Sequence, residues 1–136
     1  GDILMKIQES AENYLETILM LGKAKGNVRS IDIATALSFS KPSVSVAMKN
    51  LRENGYILMD KDGFIALTEK GHEIAETIYE RHTLLSSFLM YLGVSKETAT
   101  QDACRIEHVI SPESFEALKQ HVYSHKEIMD IKDVKI

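Results

Sequence analysis

Three residues in the last third of the chain have side chains of the types that bind transition metals. Cys104, Glu107 and His108 are spaced i, i+3 and i+4, so on a helix their side chains share one face. His82 lies on the preceding predicted helix and adds an imidazole. A thiolate, imidazoles and carboxylates that converge from several helices would form a transition-metal site.

Two polar residues of the first predicted helix extend this set. Asn13 and Glu16 are spaced i and i+3, so they too share a helix face. The spacing alone is also compatible with a structural interpretation, in which Cys104 is a small buried hydrophobe, Glu107 a surface glutamate and His108 a hydrogen-bonded histidine. Both interpretations stay open at this point.

A thiol-dependent or metal-dependent enzyme that uses Cys104 and His108 is a further alternative. A nucleophilic thiolate needs an adjacent base and usually an oxyanion site. The sequence contains no glycine-rich loop and no third orienting group that indicates one. We therefore expect that the protein is not an enzyme.

Apolar residues at helical spacing predict the elements that would carry these side chains. The predicted helices cover residues 8–22, 68–91 and 95–109, and another begins at Ser111. Ser10 is a possible N-cap of the first helix, and Gly22 marks its end. Thr68 is the expected N-cap of the long helix that follows the middle of the chain.

Residues 30–67 have the pattern of a winged helix-turn-helix. Two predicted helices are separated by Ser38-Phe39-Ser40, and two short apolar runs follow with Asp60-Lys61-Asp62-Gly63 between them, which indicates a hairpin. In such a fold the second helix of the motif enters the major groove of DNA and the hairpin is the wing. The residues predicted to contact phosphates and base edges are Lys41, Ser43, Ser45, Lys49, Asn50, Arg52 and, at the wing tip, Lys61. The alternative is an ordinary solvated helix face.

Composition limits the class of protein. The 136 residues are 44% hydrophobic and 26% charged, which fits one folded domain or a small domain with a dimerisation unit. No apolar run approaches a spanning helix and no signal-peptide pattern opens the chain, so we expect a cytoplasmic protein without a membrane partner. The net charge is -4, yet residues 23–70 hold eight basic and five acidic residues. A basic middle section suits a module that faces a polyanion.

Five segments resemble the DtxR/MntR family of metal-dependent transcriptional repressors, over roughly residues 6–122. They are Ala11-Glu12-Asn13-Tyr14-Leu15-Glu16-Thr17-Ile18, Lys41-Pro42-Ser43-Val44-Ser45, Leu67-Thr68-Glu69-Lys70-Gly71, Arg81-His82-Thr83-Leu84-Leu85 and Asp102-Ala103-Cys104-Arg105-Ile106-Glu107-His108-Val109-Ile110-Ser111. The resemblance implies a mainly α homodimer that represses metal-uptake genes at a palindromic operator in double-stranded DNA. It implies a winged helix-turn-helix DNA-binding domain over residues 1–71 and a helical metal-binding and dimerisation domain over residues 72–136.

The resemblance also implies the metal ligands. Glu107, His108 and His82 agree with ligands found across the family. Cys104 agrees with the iron-type members and Glu16 with the manganese type, whereas Asn13 departs from both. The chain is too short for the SH3-like domain of the iron type, so its architecture resembles the manganese type.

The thiolate is softer than a carboxylate and favours Fe²⁺ over Mn²⁺ as the effector, with Co²⁺, Ni²⁺ or Zn²⁺ expected to bind in vitro. Two rival functions remain at this stage. One is a winged-helix regulator that senses an organic ligand or nothing, and the other is a protein–protein module built on the same fold.

Overall fold

The structure is a computed structural model that describes residues 2–125, with side chains from Gln8 onward. Its elements are α1 (Asp2–Lys25), α2 (Ser30–Leu37), α3 (Lys41–Glu53), β1 (Ile57–Met59), β2 (Ile65–Leu67), α4 (Glu69–Tyr91), α5 (Lys96–Ile106) and α6 (Pro112–Ser124). The predicted fold class, mainly α with a helix-turn-helix and a hairpin wing, is confirmed. Within the described residues, none of the helices is long and apolar enough to span a bilayer.

The first helix is longer than predicted at both ends. Ser10 and Gly22 lie inside α1, so neither is the terminus that the sequence indicated. The carbonyl of Gly22 accepts a hydrogen bond from the Gly26 amide at 2.9 Å, and the chain leaves the helix at Gly26, whose φ is 88°. A glycine inside a helix costs about 1 kcal/mol relative to alanine. That cost is small beside the apolar burial along the same helix.

The connection between the second and third helices lies at Ser38-Phe39-Ser40, as the sequence predicts. Ser38, in the left-handed conformation with a φ of 58°, ends α2. Ser40 caps α3, because its Oγ accepts a hydrogen bond from the Ser43 amide at 3.3 Å, and Pro42 occupies the first turn where it needs no donor. The side chains that fill the core between these helices are Ile33, Val44 and Met48, each at most 1% exposed.

Asp32 stabilises the start of α2. Its Oδ2 accepts a hydrogen bond from the Arg29 amide at 2.8 Å, and its Oδ1 lies 2.6 Å from Lys25 Nζ. The hydrogen bond from Lys25, followed by that from the Arg29 amide, lowers the pKa of Asp32 below its usual value. The carboxylate therefore stabilises the fold above its unfolded-state pKa, and this contribution is lost as the pH falls through the lowered one.

The predicted hairpin forms the wing. β1 and β2 pair antiparallel, with Ile57 opposite Leu67. The Oδ1 of Asp60 accepts hydrogen bonds from the amides of Asp62 and Phe64, both at 2.9 Å, and Gly63 takes a φ of 84°. The Asp-Lys-Asp-Gly segment thus closes the turn through a side-chain acceptor and a glycine with positive φ.

Two contacts fix the wing to the segment before α2. The Ile65 amide donates to the Val28 carbonyl at 2.8 Å, which forms an isolated bridge outside the two strands. The Arg29 guanidinium lies 4.4 Å from the centre of the Phe64 ring. The hairpin is therefore held on the side of β2 as well as by its own ladder.

The start of α4 packs closely against the chain that enters β1. Thr68 Oγ1 donates to the Gly55 carbonyl at 2.7 Å and accepts from the Gly71 amide at 3.1 Å, which confirms Thr68 as the cap. The Thr68 amide donates to the Tyr56 carbonyl at 3.0 Å. A Cβ at Gly71 would lie 2.0 Å from that same carbonyl oxygen, so this approach requires a glycine.

The contacts divide the chain into two compact units, Gly1–Glu76 and Thr77–Ile136. In the second unit, Leu84 of α4 packs with Phe115 and Val122 of α6. Phe88 packs against this core, whereas Leu92, which directly follows α4, is 60% exposed. The N-caps of α5 and α6 are Ser95 and Ser111.

Candidate functional site

Three of the predicted metal ligands come together inside the second unit. Glu107 Oε2 lies 2.8 Å from His82 Nδ1, and Cys104 Sγ lies 3.8 Å from the same nitrogen. One ligand atom from each of these residues lies within 4.8 Å of the other two. His82 is placed by α4 and Cys104 by α5, so the packing of these two helices builds the cluster.

His108 lies beside this cluster but not on α5. The helix ends at Ile106, Glu107 is its C-cap, and His108 is in the turn that follows. The prediction of one continuous helix through all three residues is therefore wrong at its last member. His108 Nε2 still lies 3.4 Å from Glu107 Oε1.

The burial of Cys104 and Glu107 is the opposite of what the structural interpretation predicts. Glu107 is 0% exposed and Cys104 is exposed, so the expectation of a core cysteine beside a surface glutamate is wrong. Carboxylates are rarely buried unless they are paired or bind a metal.

The donor set fits a divalent transition metal. Glu107 Oε1 is buried and has no hydrogen-bond partner among the described residues, although an imidazole nitrogen lies near it. An acceptor that is buried in this way is unfavourable unless a cation or donor joins it. Imidazole nitrogen, thiolate sulfur and carboxylate oxygen together suit iron, cobalt, nickel or zinc.

Asn13 and Glu16 lie on α1, in the first unit. Glu16 is only 5% exposed and Asn13 is half-buried. The Asn13 carbonyl accepts a hydrogen bond from Thr17 Oγ1 at 2.8 Å, so its backbone is part of a regular helical turn. Their part in a metal site stays a prediction.

The predicted DNA-contacting residues are all exposed. Those of α3 are Lys41, Ser43, Ser45, Lys49, Asn50 and Arg52, and Lys61 lies in the turn between β1 and β2. The Ser43 hydroxyl accepts a hydrogen bond from Ser40 Oγ at 2.8 Å, so it is held at the start of the helix. Because Val44, Met48 and Leu51 face the core, the polar side of α3 faces outward.

Sequence reasoning missed one residue of that face. Val46 is 61% exposed, although it is a large apolar side chain. At 100° per residue it lies on the side of α3 opposite Val44 and Met48, between Lys49 and Asn50 around the helix. The signal available in the sequence was the valine that falls outside the apolar spacing of the core face.

Both halves of the chain match family descriptions. Residues 6–65 match "Iron dependent repressor, N-terminal DNA binding domain". Residues 68–128 match "Iron dependent repressor, metal binding and dimerisation domain". Together the two matches cover most of the sequence.

Relatives agree over nearly the same span. The chain is 35% identical over 118 residues to the transcriptional regulator MntR of Escherichia coli O6:H1, which is 87% of this chain and 76% of that protein. It is 35% identical over 127 residues to the HTH-type transcriptional regulator MntR of Bacillus subtilis strain 168, which is 93% of this chain and 89% of that protein.

A solved structure of the manganese regulator SloR superposes with a TM-score of 0.73 at 31% identity, over 83% of this chain. The structure of ScaR with bound Zn²⁺ gives a TM-score of 0.69 at 30% identity. The chain spans about half the length of these solved proteins, at 53% of each.

Proposed function

Since the chain belongs to the DtxR/MntR family of metal-dependent transcriptional repressors, we propose that it represses metal-uptake genes when a divalent metal is bound. It is a cytoplasmic protein that binds a palindromic DNA operator as a homodimer. It catalyses no reaction. The observation that carries the proposal is the fully buried Glu107 carboxylate, which lies 2.8 Å from His82 Nδ1 beside the Cys104 thiol.

The two parts of the chain have separate tasks in this proposal. Residues 1–71 bind DNA through α3 and the wing, and residues 72–136 bind the metal and form the dimer. The exposed cations Lys41, Lys49 and Arg52 on α3 support the first task, since phosphate contacts supply most of the affinity for DNA. The exposed Leu92 at the end of α4 supports the second, because dimer interfaces bury apolar side chains.

Cys104, Glu107, His82 and His108 hold the metal in this proposal, with Glu16 and Asn13 as further ligands inferred from the family resemblance. A bound divalent ion supplies the positive charge that balances the buried carboxylate. The Cys104 thiolate favours Fe²⁺, with Mn²⁺ as the second candidate. Metal promotes DNA binding to the extent that the DNA-competent arrangement has the higher metal affinity. A coupling of about 1–3 kcal/mol changes operator affinity roughly 5–150-fold.

The test is anaerobic binding to DNA from the protein's own upstream region and from nearby promoters. Fe²⁺ and Mn²⁺ are titrated separately, with a chelated sample as the control. We expect binding that requires metal and that saturates at a lower concentration of Fe²⁺. Binding that ignores both metals and the chelator would favour the alternative, a winged-helix regulator that does not sense metal.

Replacing the thiolate should change the order of the metals. In Cys104→Glu a harder oxygen donor takes the place of sulfur, so we expect the effective concentration of Mn²⁺ to fall relative to that of Fe²⁺. Thr98→Glu is the matched control, because it introduces the same carboxylate at an exposed position on another side of α5. An unchanged order of metals in the DNA-binding titration of Cys104→Glu would refute the role of the thiolate.

Val46 should contribute to sequence preference by contacting a thymine methyl group. Replacing single thymines of the operator with uracil removes one methyl each, and we expect about a 3- to 5-fold loss of affinity at the contacted position, the equivalent of about 0.8 kcal/mol. Val46→Ala should bind the thymine and uracil operators equally. Leu58→Ala, which removes another exposed apolar side chain at 63% exposure, should keep the wild-type difference. Sensitivity to uracil that persists in Val46→Ala would contradict this contact.

A further inference from the structure

We propose that Arg81 is a positioning residue that sets the geometry of the metal ligands Glu107 and His108 before any ion binds. This inference rests on the proposed metal site. Arg81 lies on α4 directly before His82. One short segment of α4 therefore supplies a ligand and the anchor of two others.

The anchor consists of two hydrogen bonds from one nitrogen. Arg81 Nη1 donates to the carbonyl of Glu107 and to the carbonyl of Ile110, both at 3.1 Å. These carbonyls belong to the turn between the end of α5 and Ser111, the N-cap of α6. His108 lies between the two anchored residues, so its backbone is held on both sides.

The position suits a cation. The last carbonyl groups of a helix have no partner within the helix, and positive charge near them is favourable. Glu107 is the C-cap of α5, and the guanidinium of Arg81 meets its carbonyl there. The same guanidinium lies over the Phe115 ring, 5.5 Å from its centre, in a cation–π contact that limits its movement.

The cluster also holds the unsatisfied polar atoms of the part of the chain that the structure describes. The two buried side-chain atoms without a hydrogen-bond partner there are Arg81 Nε and Glu107 Oε1. Burial of polar atoms in this state is unfavourable, and such atoms concentrate at functional sites. The guanidinium is therefore kept at a cost in desolvation, and what it fixes is the turn that carries two ligands.

The geometry predicts that lysine is a poor substitute. The two N–H groups of Arg81 Nη1 point in directions fixed by the planar guanidinium, whereas the donors of an ammonium rotate on a flexible stem. Arg81→Lys should keep the charge at the end of α5 and lose part of the alignment. Arg81→Met should lose both the charge and the alignment while it keeps most of the packing on Phe115.

The experiment measures the binding of Co²⁺ and Mn²⁺ to the full chain without DNA, by competition with a chelator of known affinity. We expect Arg81→Met to bind both ions about 10- to 100-fold more weakly than the wild type, which is the usual effect of losing a group that orients metal ligands. Arg81→Lys should fall between the two. The visible spectrum of the Co²⁺ form should change in both variants, because it reports the geometry of the ligands.

Glu80→Gln is the matched control. It changes the neighbouring residue of α4 and removes the 2.8 Å ion pair with Lys119 of α6, away from the ligand atoms. We expect wild-type metal affinity and an unchanged Co²⁺ spectrum. Thermal unfolding of the metal-free variants separates loss of stability from loss of alignment, and Arg81→Lys carries the test if Arg81→Met does not fold.

Three outcomes overturn the inference, and they differ in what they say of the proposed function. If the wild type binds ions and Arg81→Met binds them equally well, Arg81 has only a structural role and the metal site stands. The same conclusion follows if Glu80→Gln weakens ion binding as much as Arg81→Met does. If the wild type itself binds neither ion, both the inference and the proposed function are wrong.

Discussion

Glu107→Gln is expected to abolish metal-dependent DNA binding. Glutamine has nearly the same shape, so the packing around this fully buried side chain is retained. The amide carries no negative charge and is a weak metal ligand, and its NH2 group replaces one of the two carboxylate oxygens that face His82 and His108. We expect metal affinity to fall by more than the roughly 100-fold that loss of an outer partner costs.

The measurement is DNA affinity as a function of metal concentration, together with the thermal unfolding of the metal-free protein. Glu113→Gln, which neutralises an exposed acid in the first turn of α6, is the matched control and should respond to metal like the wild type. Glu107→Gln should keep the weak binding that the wild type shows in the presence of a chelator. Full metal activation of Glu107→Gln would show that the buried carboxylate is not a ligand.

Gly71→Ala is expected to destabilise the first unit, although alanine normally favours a helix. The added Cβ would lie 2.0 Å from the Tyr56 carbonyl oxygen and 3.0 Å from its carbon. Both atoms belong to the backbone, so a side-chain rotation cannot relieve the contact. Overpacking of this kind costs about 1–3 kcal/mol. For a domain of this size, that corresponds to a fall in Tm of roughly 4–8 °C for each kcal/mol.

Gly22→Ala is the control, and we expect it to change the stability of the protein in the opposite direction. Gly22 lies inside α1, and a Cβ added there would meet nothing within 4 Å, so alanine should stabilise the protein by about 0.4–1 kcal/mol. The two variants make the same chemical change in two helices and differ in the space around the Cβ. Denaturant unfolding of both, with DNA affinity at saturating metal, makes the comparison. Equal stability of Gly71→Ala and the wild type would mean that the start of α4 moves away from β1.

Elements whose ends depend on local side-chain chemistry were predicted well. The connection at Ser38-Phe39-Ser40 separates α2 from α3, Thr68 caps α4, and the turn that ends at Gly63 closes the wing. The predicted end of α1 was wrong because Gly22 lowers helix stability by only a small amount, which packing of the helix overcomes. The end of α5 was wrong for a related reason, since the anchoring of Glu107 and Ile110 by Arg81 comes from another helix and leaves no mark on the local pattern.

The proximity of three predicted ligands agrees with the sequence, but their environment could not be predicted. Residue spacing and family resemblance predicted His82, Cys104 and Glu107 as metal ligands, and in the structure one potential ligand atom from each lies within 4.8 Å of the others. Their binding of a metal stays a prediction. Residue type predicts that cysteine is buried and glutamate is exposed. Their reversal arises from the packing of α4, α5 and α6, which no local pattern encodes. The exposed Val46 escaped prediction because it is one apolar residue outside a regular core spacing.

Because Cys104 is exposed, the reactivity of its thiol should report whether the proposed metal site is occupied. It is the only cysteine in the chain, so a thiol-specific label attaches at one known position. The sulfur lies 3.8 Å from His82 Nδ1, so a metal bound there as we propose would also shield it from a reagent in solution. The fractions of thiol that react quickly and slowly with an alkylating reagent would therefore give the proportions of metal-free and metal-bound protein. The assay needs neither a reporter group nor operator DNA.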